Sequence, residues 1–255
     1  MKIFKRDVLG NYHILKRILI LLFGFIGYYR FFVVNRTTFN GLKHLKGLPK
    51  RNVLFISNHQ TYFMDVFLMY LSMASVRNGV KNPRMLWYLI NPFLNFYYVA
   101  AVETMKKGVL PKLLAHTGGV LIKRTWRENG QDVKRKVDNT DLDNIKKALA
   151  DGWLVSFPQG TTTAYAKGRK GSAVIIKQTK PIVIPIQVNG FRKAFNKSGV
   201  RIKKRHTQLS ITFKRPLDIN FNDSADYILN QMMTAIGQSE DDLPDVLKEK
   251  VEENQ

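Results

Sequence analysis

Residues 52–65 read NVLFISNHQTYFMD. Asn52–Ser57 is a short run dense in apolar and β-branched side chains, the composition of a strand buried on both faces. Asn58–Thr61 is polar and turn-like, and Tyr62–Val76 then reads as an apolar helix. A buried strand that turns sharply into a helix is the opening of a strand–helix–strand unit and points to the α/β class. The same stretch sets His59 just past the strand, with Asp65 six residues later. On one regular helix six residues turn through about 600°, so the pair would not share a face. They meet only if the chain bends after His59 and Asp65 lies in the first turns of the following helix. There a neutral imidazole accepts a proton, while the carboxylate on its other nitrogen fixes the tautomer. A His and an Asp at this spacing carry little weight alone.

Outward from this stretch, strands and helices alternate. Strands are expected at Val120–Arg124, Trp153–Phe157, Ile182–Val188 and Leu209–Phe213. Helices are expected at Leu110–His116, Asp141–Asp151, Gly171–Thr179 and Ser224–Ile236, and Phe93–Val102 is strongly apolar. Thr140 or Asp141 can cap the second of these helices, and Gly152 stops it. Pro185 implies an edge strand or a bulge. Trp126–Asp138 is charged without a clean period and reads as a loop. The alternation predicts an α/β fold with a central mixed, mostly parallel sheet covered by helices.

The chain has 255 residues and 45% hydrophobic content, enough for one sizeable core. Its 41 Lys+Arg against 19 Asp+Glu leave a formal net charge of +22. Such an excess suits a polyanionic partner, either nucleic acid or an anionic membrane face. The basic residues are dispersed, and no nucleic-acid-binding signature accompanies them. There is no Cys, which excludes disulfides, Cys-ligated zinc and a cysteine acyl-enzyme. The five His lack paired spacing, so no metal site is expected.

Ile18–Tyr29 is an uninterrupted apolar and aromatic run of 12 residues, preceded by Lys2, Lys5, Arg6, Lys16 and Arg17. That is short of the about 20 residues needed to span roughly 30 Å of hydrocarbon. No small-x-small cleavage site follows, since residues 28–32 are bulky. The run predicts an uncleaved membrane-associated helical segment lying in one leaflet, basic residues at the phosphates; a buried core helix is the alternative. The domains expected are residues 1–38 as this segment, 39–238 as the α/β body and 239–255 as an acidic tail.

Two further segments carry chemistry. Phe157-Pro158-Gln159-Gly160-Thr161-Thr162 takes a strand into a Pro/Gly turn whose backbone N–H groups can hold an anion or oxyanion. Gly118 through Arg124 is an apolar strand that ends in a rigid, bidentate donor. Each is more often structural in isolation. Together and in order, the segments resemble the glycerolipid acyltransferase family, whose best-known members are 1-acylglycerol-3-phosphate acyltransferases. That family's blocks are Asn-His-x4-Asp (here Asn58, His59 and Asp65), Gly–strand–Arg (here Gly118–Arg124), Phe-Pro-Glu-Gly-Thr-Arg (here Phe157–Thr162), and an apolar strand with a central Pro (here Val183–Ile186). The resemblance covers roughly Phe39 to Val188. Three departures stand out: five residues rather than four separate His59 from Asp65, Gln159 replaces Glu, and Thr162 replaces the Arg associated with the acceptor's phosphate.

The resemblance implies acyl transfer from acyl-CoA or acyl carrier protein to a lysolipid hydroxyl, most simply 1-acyl-sn-glycerol-3-phosphate, in phospholipid biosynthesis. It implies His59 as base and Asp65 as its orienting partner. Asn58, Arg124, Gln159, Gly160, Thr161 and Lys170 are the substrate-binding candidates. It implies no cofactor beyond the thioester co-substrate. Partners are membrane lipids and the acyl donor, with neither nucleic acid nor metal, and the active site lies on the cytoplasmic face of a membrane. The acyl chains need an apolar groove, for which Phe93–Val102 and the N-terminal segment are candidates. Thr162 keeps open a non-phosphate acceptor, such as a lyso-aminolipid or a secondary metabolite, and Gln159 with Thr162 keeps open a non-catalytic lipid-binding relative.

Overall fold

The computed structural model describes residues 5–106, 108–123, 127–128, 131–132 and 139–244. Helix α1, His13–Tyr28, runs through a π-helical turn at Tyr29–Val33 into strand β1, Arg36–Asn40. Strand β2 is Val53–Ser57, followed by helix α2, Met64–Arg77. Strand β3 is Phe96–Ala101, helices α3 and α4 are Val102–Lys106 and Val109–Ala115, and strand β4 is Gly119–Ile122. Short strands β5 and β6, Arg127–Glu128 and Gln131–Asp132, pair with each other. Helix α5 is Asn139–Asp151, strand β7 Trp153–Ser156, helix α6 Gly171–Thr179 and strand β8 Ile182–Asn189. Helix α7, Phe191–Ala194, strand β9, Gln208–Phe213, and helix α8, Ala225–Ala235, follow.

The main sheet has seven strands in the order β1-β9-β8-β2-β7-β3-β4, and only the β8–β9 pair is antiparallel. Alternate side chains of the central strands β2, β3 and β7 enter two cores. Val53, Phe55, Phe96, Tyr98, Trp153 and Val155 pack with α1 and α2, whereas Leu54, Ile56, Tyr97 and Leu154 pack with α5, α6 and α8. Strands β2 and β7 are buried on both faces, which explains why they lack polar alternation.

Several local expectations change. Pro185 is not at an edge, because β8 lies between β2 and β9, but the pairing beside it is irregular: Leu217 N donates to Val183 O at 2.8 Å, which sets one extra residue on the partner side. The Pro185 carbonyl accepts from Lys214 N at 2.9 Å, and the antiparallel ladder with β9 starts only at Ile186↔Phe213. N–H and C=O of one strand residue point to the same side. The absent N–H therefore faces Lys214 just beyond β9, and that pair keeps one bond instead of two. Helix α5 starts before both expected caps, and the Asp141 carboxylate instead accepts from Lys123 N at 2.7 Å. The charged loop carries the short antiparallel β5–β6 ladder. Residues 245–255 of the acidic tail lie outside the described residues.

Helix α1 buries Leu19, Ile20 and Phe23 and leaves Ile18, Leu22, Phe25 and Tyr29 exposed. Among the described residues, no helix is long and apolar enough to cross a membrane. Lys16 on this helix is fully buried. Its Nζ donates to Asp7 Oδ2 and to the Phe96 carbonyl, both at 3.3 Å, and sits 4.4 Å from the Tyr97 ring centroid. Burial drives the Lys16 ammonium down to about 8, with Asp7 opposing. Gly118 adjoins this buried amine: it has φ +126°, and a Cβ there would stand 2.3 Å from the Phe96 carbonyl oxygen.

Candidate active site

Strands β7, β2 and β8 are neighbours, and all three run in the same direction. Their carboxyl ends therefore deliver three loops to one edge of the sheet, the usual crevice of an open α/β sheet. His59 follows β2, Phe157–Gly160 follows β7, and α7 follows β8.

The His59–Asp65 contact forms despite the extra residue. Asp65 lies in the first turn of α2 and is fully buried, and its Oδ2 is 3.1 Å from His59 Nδ1. The same carboxylate accepts from Gln60 N at 2.5 Å, Thr61 N at 3.1 Å and Thr61 Oγ1 at 2.6 Å. Asp65 thus draws residues 59–61 around itself, and the added residue is absorbed in that curl. The helix N-terminus, positive in its dipole, favours the buried carboxylate. Bonding Nδ1 to a carboxylate places the proton there and leaves Nε2 as the basic nitrogen. The imidazole is stacked on Phe157 with centroids 3.9 Å apart and is 13% exposed, so one edge faces solvent.

The other expected site residues divide sharply. Asn58 extends the β2–β8 ladder: its Nδ2 donates to Val188 O at 2.9 Å and its Oδ1 accepts from Val188 N at 2.8 Å. Both ends of its amide are occupied. Gln159 is buried, and its Nε2 donates to Ala166 O at 3.0 Å and Gln238 Oε1 at 3.2 Å. Both partners are acceptors, so a neutral donor fits where a carboxylate would not. The Gly160 N–H closes a turn onto Phe157 O at 2.9 Å. Thr161 Oγ1 lies 3.2 Å from Thr163 Oγ1. Lys170 pairs with Asp226 on α8 at 2.7 Å, both side chains 64% exposed. Thr162 is buried, and Arg124 lies outside the described residues.

Arg192 on α7 escaped the sequence reading. Its Nη2 donates to His59 O at 3.1 Å and to Thr162 O at 2.6 Å, and its Nε donates to Thr162 O at 3.2 Å. Gln60 Oε1 accepts from Phe191 N at 3.0 Å and Arg192 N at 3.4 Å, so α7 is fastened to the His59 loop from its backbone as well. Burial lowers the Arg192 guanidinium below its ordinary value, with Asp65 and then Tyr165 opposing. A lone Arg after Gly190-Phe191 belongs to no pattern, and only the fold brings it to the other two loops.

Beside the pair lies a narrow apolar crevice of about 30 Å³. Its walls are Ile20 and Gly24 of α1, Tyr62 and Phe63 of the His59 loop, Val66, Phe67 and Tyr70 of α2, Phe96 and Tyr98 of β3, and Leu114 and Thr117. Both segments singled out as groove candidates contribute. Gly24 lets Leu89 approach, since a Cβ there would stand 2.7 Å from Leu89 Cδ1. Among the described residues, no group of three or more His, Asp or Glu could hold a metal ion.

A family model described as Acyltransferase matches residues 36–189, a span holding β1 through β8 with both the His59 and Phe157 loops. No curated protein matches the chain. Among solved structures, it resembles the 1-acyl-sn-glycerophosphate (LPA) acyltransferase PlsC from Thermotoga maritima, with a TM-score of 0.54 and 17% identity. The likeness covers 86% of this chain and 76% of that one. At that identity it establishes a shared fold.

Proposed function

The chain belongs to the acyltransferase family, and from that premise we propose that it transfers a fatty acyl group from acyl-CoA or acyl carrier protein to a lysolipid hydroxyl. The acceptor we favour is 1-acyl-sn-glycerol-3-phosphate, which would place the reaction in phospholipid biosynthesis. The observation that carries this reading is the His59 Nδ1–Asp65 contact of 3.1 Å at the sheet's carboxyl edge, next to an apolar cavity.

His59 Nε2 takes the proton of the acceptor hydroxyl as that oxygen bonds to the thioester carbonyl carbon. Asp65 stabilises the imidazolium that forms. When the tetrahedral intermediate collapses, the C–S bond breaks and the proton passes from imidazolium to the leaving thiolate. No covalent acyl-enzyme is needed, in keeping with a chain that has no Cys. The alkyl chain enters along this apolar lining by parting its side chains, and its burial contributes about 0.8 kcal/mol per CH₂.

The outer face of α1, with Ile18, Leu22, Phe25 and Tyr29 exposed beside Arg17, supports docking in one leaflet. The large basic excess favours an anionic cytoplasmic surface. A second reading, a non-phosphate acceptor such as a lyso-aminolipid, draws on Thr162, which is buried where the family carries Arg.

The test is acyl transfer by detergent-purified protein, wild type beside His59→Ala, with both donor types and with lysophosphatidate, lysophospholipid and lyso-aminolipid acceptors. His59-dependent product from lysophosphatidate is expected. His59-dependent product from only a non-phosphate acceptor would replace the substrate and keep the mechanism. Transfer to no acceptor by folded protein would sink the enzymatic reading.

A further inference from the structure

We propose that Arg192 is the specificity-determining cation of the acceptor site, binding the phosphate of a lysophosphatidate-type headgroup in place of the arginine absent at position 162. The inference rests on the acyltransferase reading above.

The geometry has three parts. First, Arg192 arrives at the reacting end of the sheet on α7, directly after β8, and both its backbone and its side chain are fastened to the loop that carries His59. Second, Nε and Nη2 are committed to the carbonyls of Thr162 and His59, while Nη1 makes no hydrogen bond among the described residues. A planar guanidinium offers five N–H donors in a fixed fork, so holding one edge on two carbonyls orients the remaining donors without further ordering. Third, the guanidinium reaches the Thr162 carbonyl itself. Positive charge from a different part of the chain therefore stands against the backbone of the residue where the family pattern has an arginine. Lys170 is drawn toward α8 by Asp226.

The electrostatics agree. Arg192 is half-buried, and desolvation disfavours its charge. Asp65 offsets this in part, but both of its oxygens already accept from His59, Gln60 and Thr61. A partly desolvated guanidinium with N–H groups to spare and, among the described residues, no salt-bridge partner is suited to an incoming phosphate oxygen, with which it makes a charge-assisted bond. A headgroup held there anchors the acceptor close to the His59 backbone, so that its free hydroxyl is presented to the imidazole rather than left to diffuse.

The experiment compares wild type, Arg192→Gln and Arg192→Lys in detergent, with acyl-CoA as donor and two acceptors of equal chain length, lysophosphatidate and uncharged monoacylglycerol. The readout is the ratio of kcat/KM for lysophosphatidate over monoacylglycerol. In wild type the ratio is well above one. In Arg192→Gln it falls about ten- to a hundredfold, the range of a lost hydrogen bond between charged groups, and chiefly through the KM for lysophosphatidate. Arg192→Lys, which keeps the charge but not the fork, falls severalfold, and it carries the test if Arg192→Gln does not fold. A residue that only braces the loops would lower kcat with both acceptors alike and leave the ratio intact, and that result would overturn the assignment. So would a wild type that uses both acceptors equally well. Wild type that transfers to neither acceptor would sink the acyltransferase reading instead.

Discussion

Replacing Asp65 by Asn tests whether the carboxylate is part of the chemistry or only of the loop. Oδ2 accepts from His59 Nδ1 and Gln60 N, and Oδ1 accepts from Thr61 N and Thr61 Oγ1. An asparagine amide must turn its NH₂ toward one of these donor pairs. Turned toward Thr61, it lets the hydroxyl rotate and accept, but the Thr61 N–H keeps only its 3.2 Å bond to the other oxygen. Turned toward His59, it removes two acceptors and drives the imidazole to the tautomer with the proton on Nε2, which cannot act as base. Neither orientation supplies a negative charge for the imidazolium. One charged hydrogen bond contributes about 1.5–3 kcal/mol, and the tautomer effect in serine protease triads is about 10⁴ in kcat. Asp65→Asn should therefore lower kcat by about 10²–10⁴-fold. The KM values for donor and acceptor should change little, because Asp65 is fully buried and touches neither. Stability should fall by roughly 2–4 kcal/mol through the lost loop bonds, a drop in Tm of several degrees. Steady-state kinetics and thermal unfolding on the same preparation separate the two effects. Folded Asp65→Asn with kcat within threefold of wild type would refute the assigned role of the pair.

Gln159→Glu puts the family's own residue into this chain, yet it should destabilise by roughly 3 kcal/mol. A buried carboxylate there would face the Ala166 carbonyl and Gln238 Oε1, two acceptors. Its folded-state pKa would be raised, so chemical denaturation should show the deficit shrinking as pH falls through that raised value and growing as pH rises. Val66→Phe, on the cavity wall beside Asp65, should shift donor preference to shorter acyl chains. Each methylene displaced costs about 0.8 kcal/mol, about fourfold in affinity. A profile over a series of acyl-CoA chain lengths reads this, and an unchanged optimum would mean that the chain lies elsewhere. The buried Lys16 gives a pH signature of opposite sense. With the folded value near 8 against 10.5 unfolded, the unfolded chain binds more protons between those values, so stability should rise with pH across that window. Lys16→Met should lack the increment in urea titrations at pH 7.5, 9 and 10.

What could be read beforehand followed from signals that lie close together in sequence. Strand β2 has all five residues buried and advertises itself by composition, and α6 occupies the segment its apolar pattern marks. The blocks around His59, Phe157 and Pro185 were visible as an ordered set. Edge strand β1 was not, because RTTFN carries too few apolar residues, and its place is fixed by register against β9. Pro185 misled as to the edge because the side its missing N–H faces, and where the partner strand ends, are properties of the sheet. Asn58 and Gln159 looked like substrate contacts because polar residues in a motif suggest chemistry, yet each holds backbone in place. Arg192 was out of reach for the converse reason. It acts through two carbonyls, which leave no mark in a sequence, on loops more than a hundred residues apart along the chain.

The junction between α1 and β1 has a consequence for how such an enzyme would meet its substrate. After the π-helical turn only Val34 and Asn35 intervene before the sheet begins, and Asn35 Nδ2 and Thr37 Oγ1 donate to the Arg30 and Phe31 carbonyls at 2.8 and 2.7 Å. This is a weld rather than a tether, without the slack of a flexible linker. If α1 rests in a leaflet as proposed, the catalytic edge keeps one height and one tilt above it. Turnover would then follow the mole fraction of acceptor within the surface, not its bulk concentration. Diluting the acceptor with inert lipid at constant total acceptor should slow the reaction as directly as removing it.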